Sequence, residues 1–392
     1  MKLRFLLLYF LLFTVHSSLS AQDVTLSSGK PVNAGMDETI LNAGVSLFEK
    51  AVEADSLRSV VLLVARKGNV VLHKAIGWKD KEKRILIKKD AMFRMASNTK
   101  PVVATGIGIL AEDKKLGFED NVRNHIQSFD NYRSGFITLH HLLTHTSGFR
   151  IGPIFYTPLI EKSTEHPEAP SLQLEVGRFG ETGADKPAGT TYSYSNAGFN
   201  TLGALIEIVS KKPLEVFLRE RIYEPLGMVD SYHHEVADKL DGKLDRMSVV
   251  YYKEEGKWTV GWKPGDPPQY PFVRASGGMI STAMDYAVFC QMFLNGGIYN
   301  GKRILSEKTV ELMITPHTAS LYTSEELTRM NNFYGYGWSV SRDGIFSHGG
   351  SDGTAAWVDP RHELIVLVFT QSPGNRNLSR HFFQLVQASI FE

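Results

Sequence analysis

The sequence predicts an α+β chain: an α/β sandwich with a mostly antiparallel sheet built from both chain ends, plus an inserted, mainly helical domain. Three observations predict it. β-rich runs stand at 59–66 and 69–77 near one end, and again from 336 onward near the other. The C-terminal runs are joined by at most about five residues, too few for the crossover helix that a parallel pair requires. Between 118 and 271 the readable periodic segments are helical.

Residues 1–21 differ in composition from the rest. Lys2 and Arg4 precede an apolar run over 5–15, followed by Ser17, Ser18, Leu19, Ser20 and Ala21. Basic, apolar, then small is the order of a secretory signal peptide, with cleavage expected near Ser20 or Ala21. The apolar run is shorter than the roughly 20 residues that a spanning helix needs. Over 38–55, Ile40, Leu41, Leu47, Phe48, Ala51 and Val52 recur at helical spacing. The runs 59–66 and 69–77 flank Lys67, Gly68 and Asn69 and read as a hairpin. From Ser97 the pattern turns helical through Leu110 and ends near Gly117. A further helix is expected over 197–211, stopped by Pro213, while 152–189 is rich in Pro and Gly and reads as long loops. Gly265, Asp266, Pro267, Pro268 and Pro271 mark a boundary. Strands follow at 336–341, 345–348, 354–358 and 364–369, with a closing helix over 380–391. The expected organisation is a signal peptide at 1–21, a discontinuous sheet domain at 37–117 and 272–392, and a helical insertion at 118–271.

The 392 residues carry 43 basic and 42 acidic side chains, and loss of Lys2 and Arg4 would leave 41 against 42. Such a balance offers no field for nucleic acid or anionic lipid. Cys290 is the one cysteine, which excludes an intramolecular disulfide and a lipid-bearing cysteine near the cleavage site. No later stretch is apolar enough to span a membrane. A secreted or periplasmic protein, off the membrane after signal cleavage, is therefore expected.

Three short motifs have the residue types of nucleophilic catalysis. Ser97-Asn98-Thr99-Lys100 is S-x-x-K at a helix start, with the lysine one turn from the serine, and a nearby amine can take the proton of a weakly nucleophilic hydroxyl. A second S-x-x-K, Ser27 to Lys30, lies in an unpatterned polar segment. Tyr194-Ser195-Asn196 is Y-x-N before a helix. Its tyrosine can relay a proton if a cation lowers its pKa, or can be a buried aromatic beside a helix cap. His348-Gly349-Gly350 ends a strand, where glycines let a substrate approach the backbone and the Ser351 N–H can meet an oxyanion. A turn histidine is the plainer reading.

In this order, and on a helix start, a loop and a strand end, the motifs resemble the serine β-lactamase and penicillin-binding-protein superfamily. The class C β-lactamase-like branch is the most similar, and it also holds DD-peptidases and short-chain esterases. The resemblance runs from about Asp37 to the C-terminus. It includes the string Thr138-Leu139-His140-His141-Leu142-Leu143-Thr144-His145-Thr146-Ser147-Gly148-Phe149. Glu224-Pro225-Leu226-Gly227-Met228 and Ala275-Ser276-Gly277-Gly278-Met279 are similar to family segments as well. The resemblance implies Ser97 as the acylated nucleophile, Lys100 as its deprotonating partner and Tyr194 as general base or relay. It also implies Asn196 on the substrate's acyl or amide part and an oxyanion hole from the N–H groups of Ser97 and Ser351. His348 stands where many β-lactamases carry the lysine of K-T-G. A mostly neutral histidine attracts a substrate carboxylate less than lysine does, which tilts the expectation from β-lactams towards esters.

Other features carry competing readings. Gly349 to Gly353 also fits G-x-S-x-G around Ser351, but that elbow requires a following helix and here a strand is expected. His141 and His145 have a conceivable metal-pair spacing, although packing and hydrogen bonding fit the segment better, and no metal or other cofactor is expected. Cys290, beside Phe289, Met292 and Phe293, reads as a buried small hydrophobe. Tyr270, Phe272, Tyr336 and Trp338 read as core or cleft wall. The expected function is an exported serine hydrolase working through an acyl-enzyme, a carboxylesterase on small acyl esters. The alternatives are a β-lactamase, a D-Ala-D-Ala carboxypeptidase or transpeptidase, or a non-catalytic peptidoglycan-binding protein of the same fold. The partner is then a small ester, a β-lactam or a peptidoglycan peptide.

Overall fold

The computed structural model describes residues 22–391 apart from Arg150, Ala237 and Gln269. The expected signal segment, 1–21, lies outside the described residues. Two stretches distant in sequence meet in one nine-stranded sheet. Its strands are β1 (Ser27–Ser28), β2 (Ser59–Arg66), β3 (Asn69–Asp80), β4 (Ile85–Leu86), β5 (Asn332–Tyr334), β6 (Ser339–Ser341), β7 (Phe346–Gly349), β8 (Thr354–Asp359) and β9 (Leu364–Phe369). The spatial order is β1-β3-β2-β9-β8-β7-β6-β5, with β4 paired to β3. The β1–β3 pair is parallel and the others are antiparallel, so the sheet is mixed.

The seam between the chain ends is the β2–β9 pair, with Leu364 opposite Arg66 and Phe369 opposite Val61. Both strands are buried along their whole length, so they read as continuous apolar runs and not as alternation. Val60, Leu62, Val64, Leu364, Val366 and Val368 face a cluster formed with the helices Glu38–Glu53 and Arg376–Ala388. Val61, Leu63, Ala65, Ile365, Leu367 and Phe369 face the larger core on the other side. Asp37 caps the first of those helices, accepting from the N–H groups of Thr39 (2.7 Å) and Ile40 (3.3 Å). Phe48 and Phe382 meet edge to face at 5.5 Å, and a Cβ at Gly44 would stand 2.9 Å from Phe382, so the glycine sets that approach. Complete burial of each phenylalanine contributes roughly 1.5–3 kcal/mol. The β2–β3 turn has Lys67 and Gly68 at φ 51° and 75°, the left-handed pair of a tight hairpin.

On the inner face lies the helix Ala283–Leu294, whose Phe289 and Phe293 pack on Trp338 and, from Phe293, on Phe346. The helices Thr99–Glu112 and Asn196–Ser210 pack behind it. A small sheet pairs Phe93–Arg94 with Met279–Ser281, and Met279–Ser281 with Tyr232–His233. That pairing carries the segment before Ser97 up against residues 276–279.

Between 118 and 271 the structure differs from the expectation in three places, the first being the strand Tyr232–His233 of that small sheet. Val250–Glu254 and Lys257–Trp262 form an antiparallel hairpin around Glu255 and Gly256, both with positive φ. Within 152–189, expected as loops, stand the helices Gly152–Tyr156 and Leu172–Thr182. The longer one is capped by Ser171 and buries Leu172, Val176 and Phe179, a helical stripe that its glycines obscure in the sequence. Gly180 is there for closeness: a Cβ would lie 2.4 Å from Ser128 Oγ and 2.5 Å from the Phe129 ring. Among the described residues no helix is long and apolar enough to cross a membrane.

Candidate active site

Ser97 sits in a turn, Ala96–Asn98, that leads into the helix Thr99–Glu112. Ala96 has φ 45°, a left-handed conformation that a β-carbon disfavours and that the surroundings must hold in place. They do so by several hydrogen bonds. Thr99 Oγ1 donates to the Ala96 carbonyl (2.6 Å) and accepts from the Met279 N–H (3.0 Å). Thr354 Oγ1 donates to the Met95 carbonyl (3.1 Å) and accepts from Asn98 Nδ2 (2.9 Å). The Ser97 turn is thereby fastened to β8 on one side and to the small sheet on the other.

Lys100 is fully buried. Its Nζ lies 3.1 Å from Ser97 Oγ and donates to Asn196 Oδ1 and to the Ser276 carbonyl, both at 2.8 Å. These partners are neutral. Burial, and next the charge of Arg274, hold the amine well below the usual lysine range. When deprotonated, the amine has two N–H donors for Asn196 and Ser276 and one lone pair for the Ser97 hydroxyl. That is the arrangement a general base requires.

The Tyr194 hydroxyl hydrogen-bonds the Ser97 side chain, and Lys100 Nζ stands 4.7 Å from the Tyr194 ring centroid. Although 43% of Tyr194 is exposed to the cleft, packing around the phenol pushes it above its ordinary value, an effect the Ser97 hydrogen bond offsets only in part. The phenol is therefore protonated at neutral pH and can pass a proton on without first losing one. Ser195 caps the next helix through the Gly198 N–H (3.1 Å), which fixes Asn196 at the helix start with its side chain on Lys100.

His348, at the end of β7, is buried with both ring nitrogens engaged. Nε2 lies 2.9 Å from Tyr334 Oη and Nδ1 lies 3.0 Å from the Gly349 carbonyl. Burial and then the Lys100 charge push its pKa down to about 3, so it is uncharged at neutral pH. Gly350 follows in contact with the Ser97 turn: a Cβ there would stand 2.3 Å from Thr354 Oγ1 and 2.5 Å from the Met95 carbonyl. Ser351 Oγ is turned to Asp352 (3.2 Å), and the strand β8, not a helix, comes next. Asp352 is also 3.4 Å from Arg94 Nε, and Arg94 pairs with Glu235 at 2.8 Å, all three buried. This ion cluster joins the loop bearing Ser351 to the strand that precedes Ser97.

Ser97, Tyr194, Asn196, His348, Gly349, Gly350 and Ser351 all line one cavity of about 1130 Å³. Lys100 closes its floor from behind. Tyr192, Tyr322, Phe333 and Tyr334 also line the cavity, as do Arg376 and Arg380 of the C-terminal helix. Of the aromatics whose place the sequence left open, Tyr336 and Trp338 are buried in the core, and Tyr270 stacks on the Arg274 guanidinium at 3.8 Å. His141 and His145 do not converge: His141 Nδ1 accepts from the Thr138 N–H (3.1 Å) and His145 Nδ1 from the Ser195 N–H (3.0 Å). Cys290 is buried, with its thiol pushed up by burial. Sequence reasoning missed the Ser276 carbonyl, Tyr334 and the Arg94–Glu235–Asp352 cluster. A backbone acceptor has no residue signature, and the cluster joins positions more than a hundred residues apart.

Comparison with known proteins adds relatives to this geometry. A family model described as Beta-lactamase matches residues 45–388. A protein of Escherichia coli (strain K12) named "Putative D-alanyl-D-alanine carboxypeptidase" is 24% identical over 409 residues, spanning 94% of this chain and 90% of its own. Among solved structures, EstCE1, a hydrolase with promiscuous acyltransferase activity, superposes with a TM-score of 0.73 at 20% identity, covering 90% of this chain and 99% of its own. The octameric penicillin-binding protein homologue from Pyrococcus abyssi gives 0.72 at 23%, covering 89% and 78%. At these identities the structures share the fold.

Proposed function

The chain belongs to the Beta-lactamase family, and from that premise we propose that it is an exported serine hydrolase working through an acyl-enzyme, a carboxylesterase on small acyl esters. Lys100, as a neutral amine, takes the Ser97 proton while Oγ attacks the ester carbonyl carbon. The carbonyl oxygen becomes an oxyanion received by the N–H groups of Ser97 and Ser351. The tetrahedral intermediate collapses, the C–O bond to the alcohol breaks, and the Tyr194 phenol protonates the departing oxygen as it regains a proton from Lys100. Water then attacks the acyl-enzyme, giving its proton to the same pair, and Ser97 and the acid are released.

The observation that carries the ester reading is His348. Uncharged and with both nitrogens occupied inside the protein, it presents no cation to a substrate carboxylate beside Ser97. A specific observation favours a second reading, a D-Ala-D-Ala carboxypeptidase or β-lactamase: Arg376 and Arg380 line the same cavity and would suit an anionic substrate. Export rests on the order of residues in 1–21.

Turnover of p-nitrophenyl butyrate, a chromogenic cephalosporin and a D-Ala-D-Ala peptide separates these readings. Ester turnover is expected to lead, with Ser97→Ala reducing it on the order of a millionfold. Cephalosporin turnover that exceeds ester turnover and falls in the Arg376→Ala, Arg380→Ala double variant would replace the ester reading with the second one. Less than a tenfold loss in Ser97→Ala would overturn the hydrolase itself in favour of a non-catalytic binding protein.

A further inference from the structure

Nothing in the proposed chemistry uses His145, yet it touches the proton-handling loop at three points. It is fully buried and holds φ 59°, a left-handed conformation in which histidine is among the better-tolerated side chains. Its carbonyl accepts the Ser193 N–H (2.8 Å) and its Nδ1 accepts the Ser195 N–H (3.0 Å). The residues on either side of Tyr194 are thus both bonded to one histidine. Between those anchors its ring lies against the Tyr194 ring, with centroids 4.3 Å apart.

The tautomer follows from the acceptor role of Nδ1: the proton is on Nε2. That atom is buried and has no hydrogen-bond partner among the described residues, being surrounded by the rings of Tyr194, Phe199 and Tyr334. A protonated imidazole would lose the Ser195 contact, because Nδ1 would then be a donor facing a donor. Burial, before anything else, holds the ring well below its ordinary value, in its neutral form. Tyr334 fills the other side, 4.5 Å from the His145 ring, and is itself held by His348. The phenol of Tyr194 is part-exposed and would have an open cleft to swing into without this backing.

We propose that His145 is a positioning residue for Tyr194. Its neutral imidazole accepts the Ser195 N–H and backs the tyrosine ring, and together these hold the phenol on Ser97. The proposal deepens the hydrolase reading and rests on it.

The test uses the full chain with p-nitrophenyl butyrate, alongside the rate of Ser97 labelling by a fluorophosphonate. His145→Asn keeps a side-chain acceptor and a residue that tolerates the left-handed conformation but removes the ring. His145→Phe keeps a ring and orphans the Ser195 N–H. Both are expected to lower kcat and the labelling rate ten- to a hundredfold with KM changed less than about threefold, the phenylalanine variant more. In a Tyr194→Phe background, His145→Asn should cost no more than a further twofold, because the group it positions is already gone. Thermal melts of each variant show which ones fold, and if His145→Phe does not, the asparagine cycle alone carries the test. Additive losses in that cycle, or a wild-type kcat in His145→Asn, would overturn the proposal. If instead Ser97→Ala retains activity, it is the hydrolase reading that has failed, and the two failures are distinguishable.

Discussion

At the scale of single residues, the site is built on a lysine whose pKa is depressed because of where it is. Lys100 has no exposed surface and three uncharged neighbours, so its charged form lacks water and lacks an anion. Its pKa is depressed, so the base form grows as pH rises through that value and is lost as pH falls below it. kcat/KM for an ester is therefore expected to climb with pH along an acid limb that belongs to Lys100 and lies well below the ordinary lysine range. Lys100→Arg keeps a cation that does not deprotonate, and should lose more than a hundredfold at every pH with no recovery at the alkaline end. Tyr194→Phe should lower the plateau by about 10²–10⁴ while leaving the acid limb in place. A pH–rate profile of the three proteins decides this, and an acid limb that survives in Lys100→Arg would reassign the base. The sequence brought Ser97 and Lys100 together through helical spacing alone, since one turn places them on one face. It could not foresee the sign of the tyrosine's shift: a cation next to Tyr194 was expected to lower its pKa, whereas burial raises it.

At the scale of elements, the Ser97 turn and the β7–β8 turn behave as one unit. The contacts joining them are short-range and packed, and Gly350 is the position where no side chain fits. Gly350→Ala must push the β7–β8 turn away from Met95 and Thr354, and with it the Ser351 N–H proposed to receive the oxyanion. A loss of about 10²–10³ in kcat is expected, the usual effect of removing one oxyanion donor, with overpacking costing about 1–3 kcal/mol in stability. Gly344→Ala is the control. It also replaces a glycine of positive φ, 81°, but at a turn with open space around it. It should lose some stability and keep kcat, and equal loss of kcat in both variants would detach the β7–β8 turn from the chemistry. The strands that build this unit were legible as apolar runs with short connections. The hairpin at 250–262 is equally patterned, with Val250 and Trp262 turned into a buried cluster, but it is masked by the helical segments around it. The helix at 172–182 was hidden for a different reason: Gly177 and Gly180 suppress its propensity, and only the tertiary contact with Phe129 explains one of them. Ladder partners such as Leu364 and Arg66 lie some three hundred residues apart and leave no local trace in the sequence.

For the whole molecule, histidine burial sets an acid limit on stability. His145, His233 and His348 are all buried and all held below their ordinary value, His233 to about 4 and His348 to about 3, in each case first by desolvation. In the unfolded chain the same side chains titrate near 6.5. Between that pH and their folded values the unfolded state binds more protons, so stability is fully present above about pH 6.5 and falls as the solution is acidified. Lowering the pH from 6.5 to 5 costs about 1.5 kcal/mol for a histidine held at about 3 to 4. His233 and His348 together lose about 3 kcal/mol, and His145 adds to the loss in the same direction, against a total stability of about 5–15 kcal/mol for many domains. Burial holds Asp285 up at about 6, so it titrates in the same window with the opposite sign, and a histidine variant is needed to isolate the imidazole part. Urea unfolding midpoints at pH 5, 6, 7 and 8 should be flat at the upper end and drop steeply below about 6.5. His233 is the histidine to substitute, since its Nε2 only donates to the Arg274 carbonyl at 2.6 Å, away from Ser97. His233→Gln keeps a donor for that carbonyl and does not titrate, so it should remove about one proton from the slope while leaving ester turnover at pH 8 within a few-fold. A midpoint that stays constant from pH 7 to pH 5 would mean that these rings take up protons in the folded state. The close packing around His145 and His348, and with it the neutral site assembled on Ser97, would then be wrong.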